Sequence, residues 1–157
     1  MSLNYWGKQE TELIIGGFVL VLEKKNIFLN QEPDTKENVI RKIGAIFSSQ
    51  GYTDESYTQA MLDKELMFNT YMGNSVALPH GTEEAKRDIL KTGIVLMTVP
   101  EGQDWGAKEK ARVIVGVAAV GNEHLEVLSK IALTFSDKDG IDKLLTMSED
   151  EISAMFS

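Results

Sequence analysis

The sequence predicts a single α/β domain: a mixed, mostly parallel sheet flanked by helices on both faces. Three observations predict it. Residues 93–99 and 111–120 are apolar, β-branched runs without strict alternation, as in strands covered on both sides. Segments of helical spacing interleave with the short strands, the pattern of a layered α/β domain. Finally, 157 residues suit one domain, with enough chain to bury about two thirds of its unfolded surface.

The elements follow in order. Residues 13–22 form an uncharged run (LIIGGFVLVL) of half the roughly 20 residues that a spanning helix needs. Glu10 and Glu12 precede it where an export signal needs a basic stretch. Gly16-Gly17 divides it, so it reads as a buried strand or a hairpin. Met1-Ser2-Leu3 is set aside as an expression scar. Short strands are expected at 18–22 and 27–29, around Glu23-Lys24-Lys25. Asp34 or Thr35 can cap a helix whose apolar positions are Val39, Ile40, Ile43, Ile46 and Phe47, with Gly51 as its C′ residue. A second helix is expected over 54–66 with Tyr57, Ala60, Met61 and Leu62 inward, then a strand at 75–78. After the two long strands, a helix over 123–135 carries Leu125, Leu128, Ile131, Ala132 and Phe135 on one side. Two short acidic helices, 139–145 and 148–156, complete the chain.

Composition removes several functions. The 24 Asp+Glu against 16 Lys+Arg leave a net charge of −8, the wrong sign for neutralising a nucleic-acid backbone. There is no cysteine, which excludes disulfides, thiolate zinc sites, iron–sulfur clusters and a Cys nucleophile, and suggests a cytosolic protein. Two histidines cannot make a three-His metal site. The phosphate-binding patterns GxxxxGK[ST] and GxGxxG, the GxSxG elbow and HExxH are all missing.

Both histidines stand where chemistry is often placed. A short apolar strand runs into Pro79-His80-Gly81, so the His80 imidazole sits at a strand end, with Pro79 fixing its own φ and Gly81 permitting close approach. Alone, His80 reads as a polar turn residue. His124 follows the long strand 111–120, in the first turn of a helix that Asn122 can cap, where free N–H groups and the helix dipole favour an anion and a neutral imidazole. If the two strands are neighbours, one imidazole can act as nucleophile and the other as an anion-stabilising donor.

The stretches Met61-Leu62-Asp63-Lys64-Glu65, Gly73-Asn74-Ser75-Val76-Ala77-Leu78-Pro79-His80-Gly81-Thr82, Glu84-Ala85-Lys86, Pro100-Glu101-Gly102 and Asn122-Glu123-His124 resemble, in collinear order, the mannitol-class IIA domain of the phosphoenolpyruvate-dependent sugar phosphotransferase system. The resemblance implies a 1–17 extension before a IIA domain over 18–157. It implies a phosphotransferase component that takes a phosphoryl group from the carrier HPr onto His80 and passes it to a cysteine of a IIB domain during sugar uptake, in the cytoplasm, with no cofactor or metal, no nucleic acid and no membrane insertion. His124 matches the family's second active-site histidine. Lys64 stands where the family usually has Arg, keeping the charge but not the planar fork. Asn74 stands where relatives often carry an acid, so that a negative charge near the phosphate is absent. Gly81, Thr82 and Glu65 are expected in support, with N–H groups around Gly81 holding phosphoryl oxygens. The missing cysteine suggests a stand-alone IIA component; the alternative is an excised C-terminal piece of a longer transporter, with the first 17 residues belonging to the preceding linker or domain. Two other readings differ in kind: a regulatory IIA-like module whose His80 phosphorylation signals sugar or nitrogen status, and a degenerate fold that only binds an anion or a protein.

Overall fold

The computed structural model describes residues 14–15 and 18–156. The uncharged run at the start is a small antiparallel pair, β1 (Ile14–Ile15) with β2 (Phe18–Val19). The main sheet contains β3 (Ile27–Phe28), β4 (Tyr71–Gly73), β5 (Val76–Ala77), β6 (Gly93–Gln103) and β7 (Ala111–Ala118), in the spatial order β3-β6-β7-β5-β4. It is a mixed sheet. β3–β6 and β5–β7 are parallel, while β6–β7 and β4–β5 are antiparallel.

Alternation along the central strands divides the interior into two cores. Val113, Val115 and Val117 face one side with Ile94 and Leu96, while Ile114, Ala118, Val95 and Met97 face the other. The second side is covered by α1 (Lys36–Ser49) and α2 (Tyr57–Met67), through Ile40, Ile43, Phe47 and Met61. The first is covered by α3 (Glu123–Thr134), α4 (Lys138–Leu144) and α5 (Glu149–Ala154), through Val127, Ile131, Ile141 and Ile152. Burial on both faces is why the strands carry near-continuous apolar sequence. Among the described residues, no helix is long and apolar enough to cross a membrane.

Local chemistry sets the boundaries. Thr35 is the N-cap of α1, its side chain accepting from the Asn38 N–H at 3.1 Å, and Gly51 follows the helix at φ +79°. Helix α2 starts at Tyr57, later than its sequence suggests, because Asp54 is tied by its N–H to the Asp88 carbonyl at 2.9 Å. Ser75 lies outside β5: Gly73, Asn74 and Ser75 all have positive φ and form the β4–β5 turn.

Two expectations for α3 need correction. Asn122 occupies the cap position but makes no side-chain cap bond. Leu125 does not face inward; it is 73% exposed, and the buried positions are Val127, Lys130 and Ile131, followed by Phe135. Ile131 and Phe135 do face inward, but Lys130 shares their side, 5% exposed with its Nζ 5.7 Å from the Phe156 ring centre, where a pattern search places no charge.

Candidate active site

The end of β5 is pinned before it reaches His80. The Val117 N–H donates to the Pro79 carbonyl at 3.0 Å, and His80 itself pairs in parallel with Val117. Behind this turn stands Tyr57 of α2. Its hydroxyl donates to the Val117 carbonyl at 2.9 Å and accepts from the Gly81 N–H at 2.9 Å. A Cβ at Gly81 would lie 2.5 Å from the Tyr57 ring, so only glycine lets the ring in. Burial pushes the phenol up to about 12, and it stays protonated as this pair of bonds requires. The Gly81 N–H is therefore committed to Tyr57 and is not free for an anion, contrary to its expected role.

The imidazole is fixed in one tautomer. His80 is 7% exposed, and its Nδ1 lies 2.7 Å from the Leu78 carbonyl. A carbonyl only accepts, so Nδ1 carries the proton and Nε2 keeps a lone pair. Burial, opposed by the Leu78 carbonyl and aided by Lys64, lowers the ring below its ordinary basicity and keeps it neutral at pH 7.

His124 meets it from the first turn of α3, the ring centres 5.0 Å apart and tilted by 56°. The neighbouring Glu123 is held by the Thr92 hydroxyl, which also accepts from the Val120 N–H at 2.9 Å. Burial, His80, Lys86 and Lys64 push His124 down to about 4 against the opposing field of Glu83. Two neutral imidazoles thus meet, one nitrogen nucleophile beside a ring able to donate an N–H.

Among the described residues, no cluster of three or more His, Asp or Glu side chains could hold a metal ion. A groove of about 390 Å³ between α1 and α2 is lined by Lys36, Ile40, Arg41, Leu62, Glu65 and Leu66. Its cations are already matched, Lys36 to Glu65 at 2.8 Å and Arg41 to Glu37 at 2.9 Å.

A family model described as "Phosphoenolpyruvate-dependent sugar phosphotransferase system, EIIA 2" matches residues 20–157. The chain belongs to this family. The EIIA chain is 41% identical over 138 residues to the mannitol-specific phosphotransferase enzyme IIA component of Bacillus subtilis, covering 87% of this chain and 96% of that one. The Escherichia coli IIA of mannitol superposes with a TM-score of 0.80 at 42% identity, covering 87% and 99% of the two chains. In a complex with phosphorylated enzyme IIB, the Escherichia coli mannitol IIA gives 0.82 at 40% identity, covering 88% and 98%.

The other expected residues of this EIIA domain divide by place. The field of Lys64, in the last turn of α2, reaches both His80 and His124, and among the described residues no carboxylate pairs with it; its Nζ lies 5.4 Å from the Phe68 ring centre. Thr82 opens the 3-10 turn Glu83–Asp88, and its hydroxyl makes no cap bond. The Glu65 carboxylate is occupied by Lys36 and by the Thr70 N–H and hydroxyl, so it supports the fold beneath Lys64. Asn74 is elsewhere. It sits in the β4–β5 turn and donates to the Ser136 carbonyl at 2.9 Å, and since Val76 pairs with Val113 and His80 with Val117, it lies at the end of β5 away from His80. The structure does not bring Asn74 together with His80 and His124. Sequence reading missed Tyr57, taken only as a core residue, and Lys86, quoted only as part of the resemblance. The available signals were a glycine needing room for an aromatic ring, and the Glu83-x-x-Lys86 spacing just after the histidine.

Proposed function

We propose that this EIIA domain, over residues 18–157, is a cytoplasmic phosphocarrier that takes a phosphoryl group from phospho-HPr onto Nε2 of His80. The acceptor is a cysteine of a mannitol-type IIB domain. The single observation that carries the reading is the 2.7 Å contact of His80 Nδ1 with the Leu78 carbonyl, which leaves Nε2 as the ring's lone pair beside His124.

In the first step Nε2 forms a bond to phosphorus while the bond to the donor nitrogen breaks, the donor keeping the electron pair. The His80 ring gains positive charge as the bond forms. The Leu78 carbonyl on Nδ1–H stabilises that charge. In the second step a thiolate sulfur of IIB bonds to phosphorus as the N–P bond breaks and its electron pair returns to Nε2. Phosphoryl transfer of this kind depends chiefly on positioning and on compensation of charge on the three oxygens. The His124 N–H, the Lys64 ammonium and the Thr82 hydroxyl are the groups suited to that task. The choice of mannitol rests on the names of relatives at 41% and 42% identity.

The test is intact mass after incubation with phosphoenolpyruvate, Enzyme I and HPr, followed by addition of a mannitol-type IIB. The expected result is one acid-labile phosphoryl group on the wild type, none on folded His80→Ala, and loss of the group to IIB. An unmodified wild type beside phosphorylated HPr overturns the carrier role. A phosphorylated wild type that fails to pass the group to IIB overturns the transport reading.

A further inference from the structure

The Glu83–Lys86 pair follows His80 closely in the chain, its charges act on His124, and it has no part in the scheme above. Lys86 Nζ is 2.6 Å from Glu83 Oε2, with the lysine side chain 30% exposed and the carboxylate 74% exposed. Its backbone is held firmly. The Ala85 N–H donates to the Thr82 carbonyl at 3.1 Å, the Ile89 N–H to the Lys86 carbonyl at 3.1 Å, and Ala85 is buried in the core against α1 and α2. The turn begins only three residues after His80. The titratable groups facing His124 are His80, Lys86, Glu83 and Lys64, and the fields of His124 and Lys64 reach Glu83 in return. Two cations and one carboxylate therefore gather around the neutral His124 imidazole, whose ring centre is 5.0 Å from that of His80.

We propose that Lys86 is a positioning residue for phosphoryl transfer, that Glu83 stands in for the phosphoryl group in the free protein, and that the arriving group displaces the carboxylate from Lys86. The inference rests on the carrier reading. A phosphoryl group brings up to about two negative charges into this cluster. Repulsion then acts first on the nearest carboxylate, and Glu83 is the partner free to swing into water. Lys86, tucked against the turn, keeps its place and exchanges one oxygen ligand for another. Glu83 thus holds the cation in position while the site is empty, and competes for it when the site is filled.

The experiment measures the equilibrium between phospho-HPr and phospho-EIIA, together with the His124 titration by NMR, for wild type, Lys86→Gln, Lys86→Arg and Glu83→Gln. Lys86→Gln is expected to lower the equilibrium constant about tenfold, the weight of one charge-assisted hydrogen bond, with Lys86→Arg restoring most of it. Glu83→Gln is expected to raise it about threefold, as loss of an exposed competitor should. The His124 midpoint should rise in Lys86→Gln and fall in Glu83→Gln, since one variant removes a cation and the other an anion. A merely structural pair would move both readouts the same way in both variants. That result, or a wild-type equilibrium in Lys86→Gln, overturns the inference while leaving the carrier role intact. A wild type that HPr does not phosphorylate removes the carrier role and this inference with it.

Discussion

The hydroxyl of Tyr57 serves the backbone on both sides of the nucleophile, joining α2 to the His80 turn and to β7. Tyr57→Phe keeps the ring but leaves the Gly81 N–H and the Val117 carbonyl without this partner. A cost of about 1–3 kcal/mol in urea unfolding is expected, with slower phosphorylation of His80. Unchanged stability would show that the two backbone groups find other partners. His124 makes a second prediction. Its folded value of about 4 lies below the ordinary 6.5, so between those pH values the unfolded chain binds a proton that the folded chain refuses. Its contribution is whole above about pH 6.5 and is lost as pH falls toward 4, and His80 acts with the same sign. After allowance for partial exposure, the loss between pH 7 and 5 is about 1 kcal/mol, or about 2–4 °C in Tm. His124→Gln should show a correspondingly shallower fall in calorimetry over that range. At this scale, the two histidines were legible because each follows an apolar strand. Tyr57 and Lys86 were not, since their importance lies in contacts that cross the sheet's end or reach across a turn.

The helices show what local sequence can and cannot fix. Thr35 and Gly51 mark the ends of α1 by chemistry contained within a few residues, and both were readable. Thr35→Ala should cost about 1 kcal/mol in denaturant unfolding, because it orphans the Asn38 N–H of a helix packed on the central strands. A change within 0.2 kcal/mol, on the order of measurement error, would mean that water caps that end equally well. The inward face of α3 was misread for a different reason. A periodic count treats Leu as inward and Lys as outward, whereas Lys130 is buried with its ammonium over the Phe156 ring and Leu125 stands exposed beside His124. The β4–β5 turn was likewise hidden, since nothing in Gly73-Asn74-Ser75 shows which end of the strand faces the nucleophile.

The two cores lie on opposite faces of one sheet, and β6 and β7 contribute side chains to both. Neither face can lose its cover without exposing strands that the other face needs. Ile43→Ala in one core and Ile131→Ala in the other should each cost about 2–5 kcal/mol and displace a single transition. With Trp6→Phe as background, Trp105 fluorescence reports on the core of α1 and α2 alone. Its midpoint in Ile131→Ala should match that of far-UV circular dichroism. Separate midpoints would show that the halves melt independently. The layered class was legible from the apolar strands and the interleaved helices. Strand order was not, because pairing such as His80 with Val117 is a long-range choice among similar apolar runs. Charge behaves similarly: the chain is acidic by eight, yet Lys64 and Lys86 make the histidine site a local cationic exception that no total reveals.

The Leu78 carbonyl accepts the Nδ1 proton of the bare ring, and the proposed N–P bond forms at the other nitrogen. In the proposed cycle, near neutral pH, each hand-off therefore moves a phosphoryl group and leaves every proton of the carrier in place. The direction of flow is then set by the relative phosphoryl potentials of donor and acceptor.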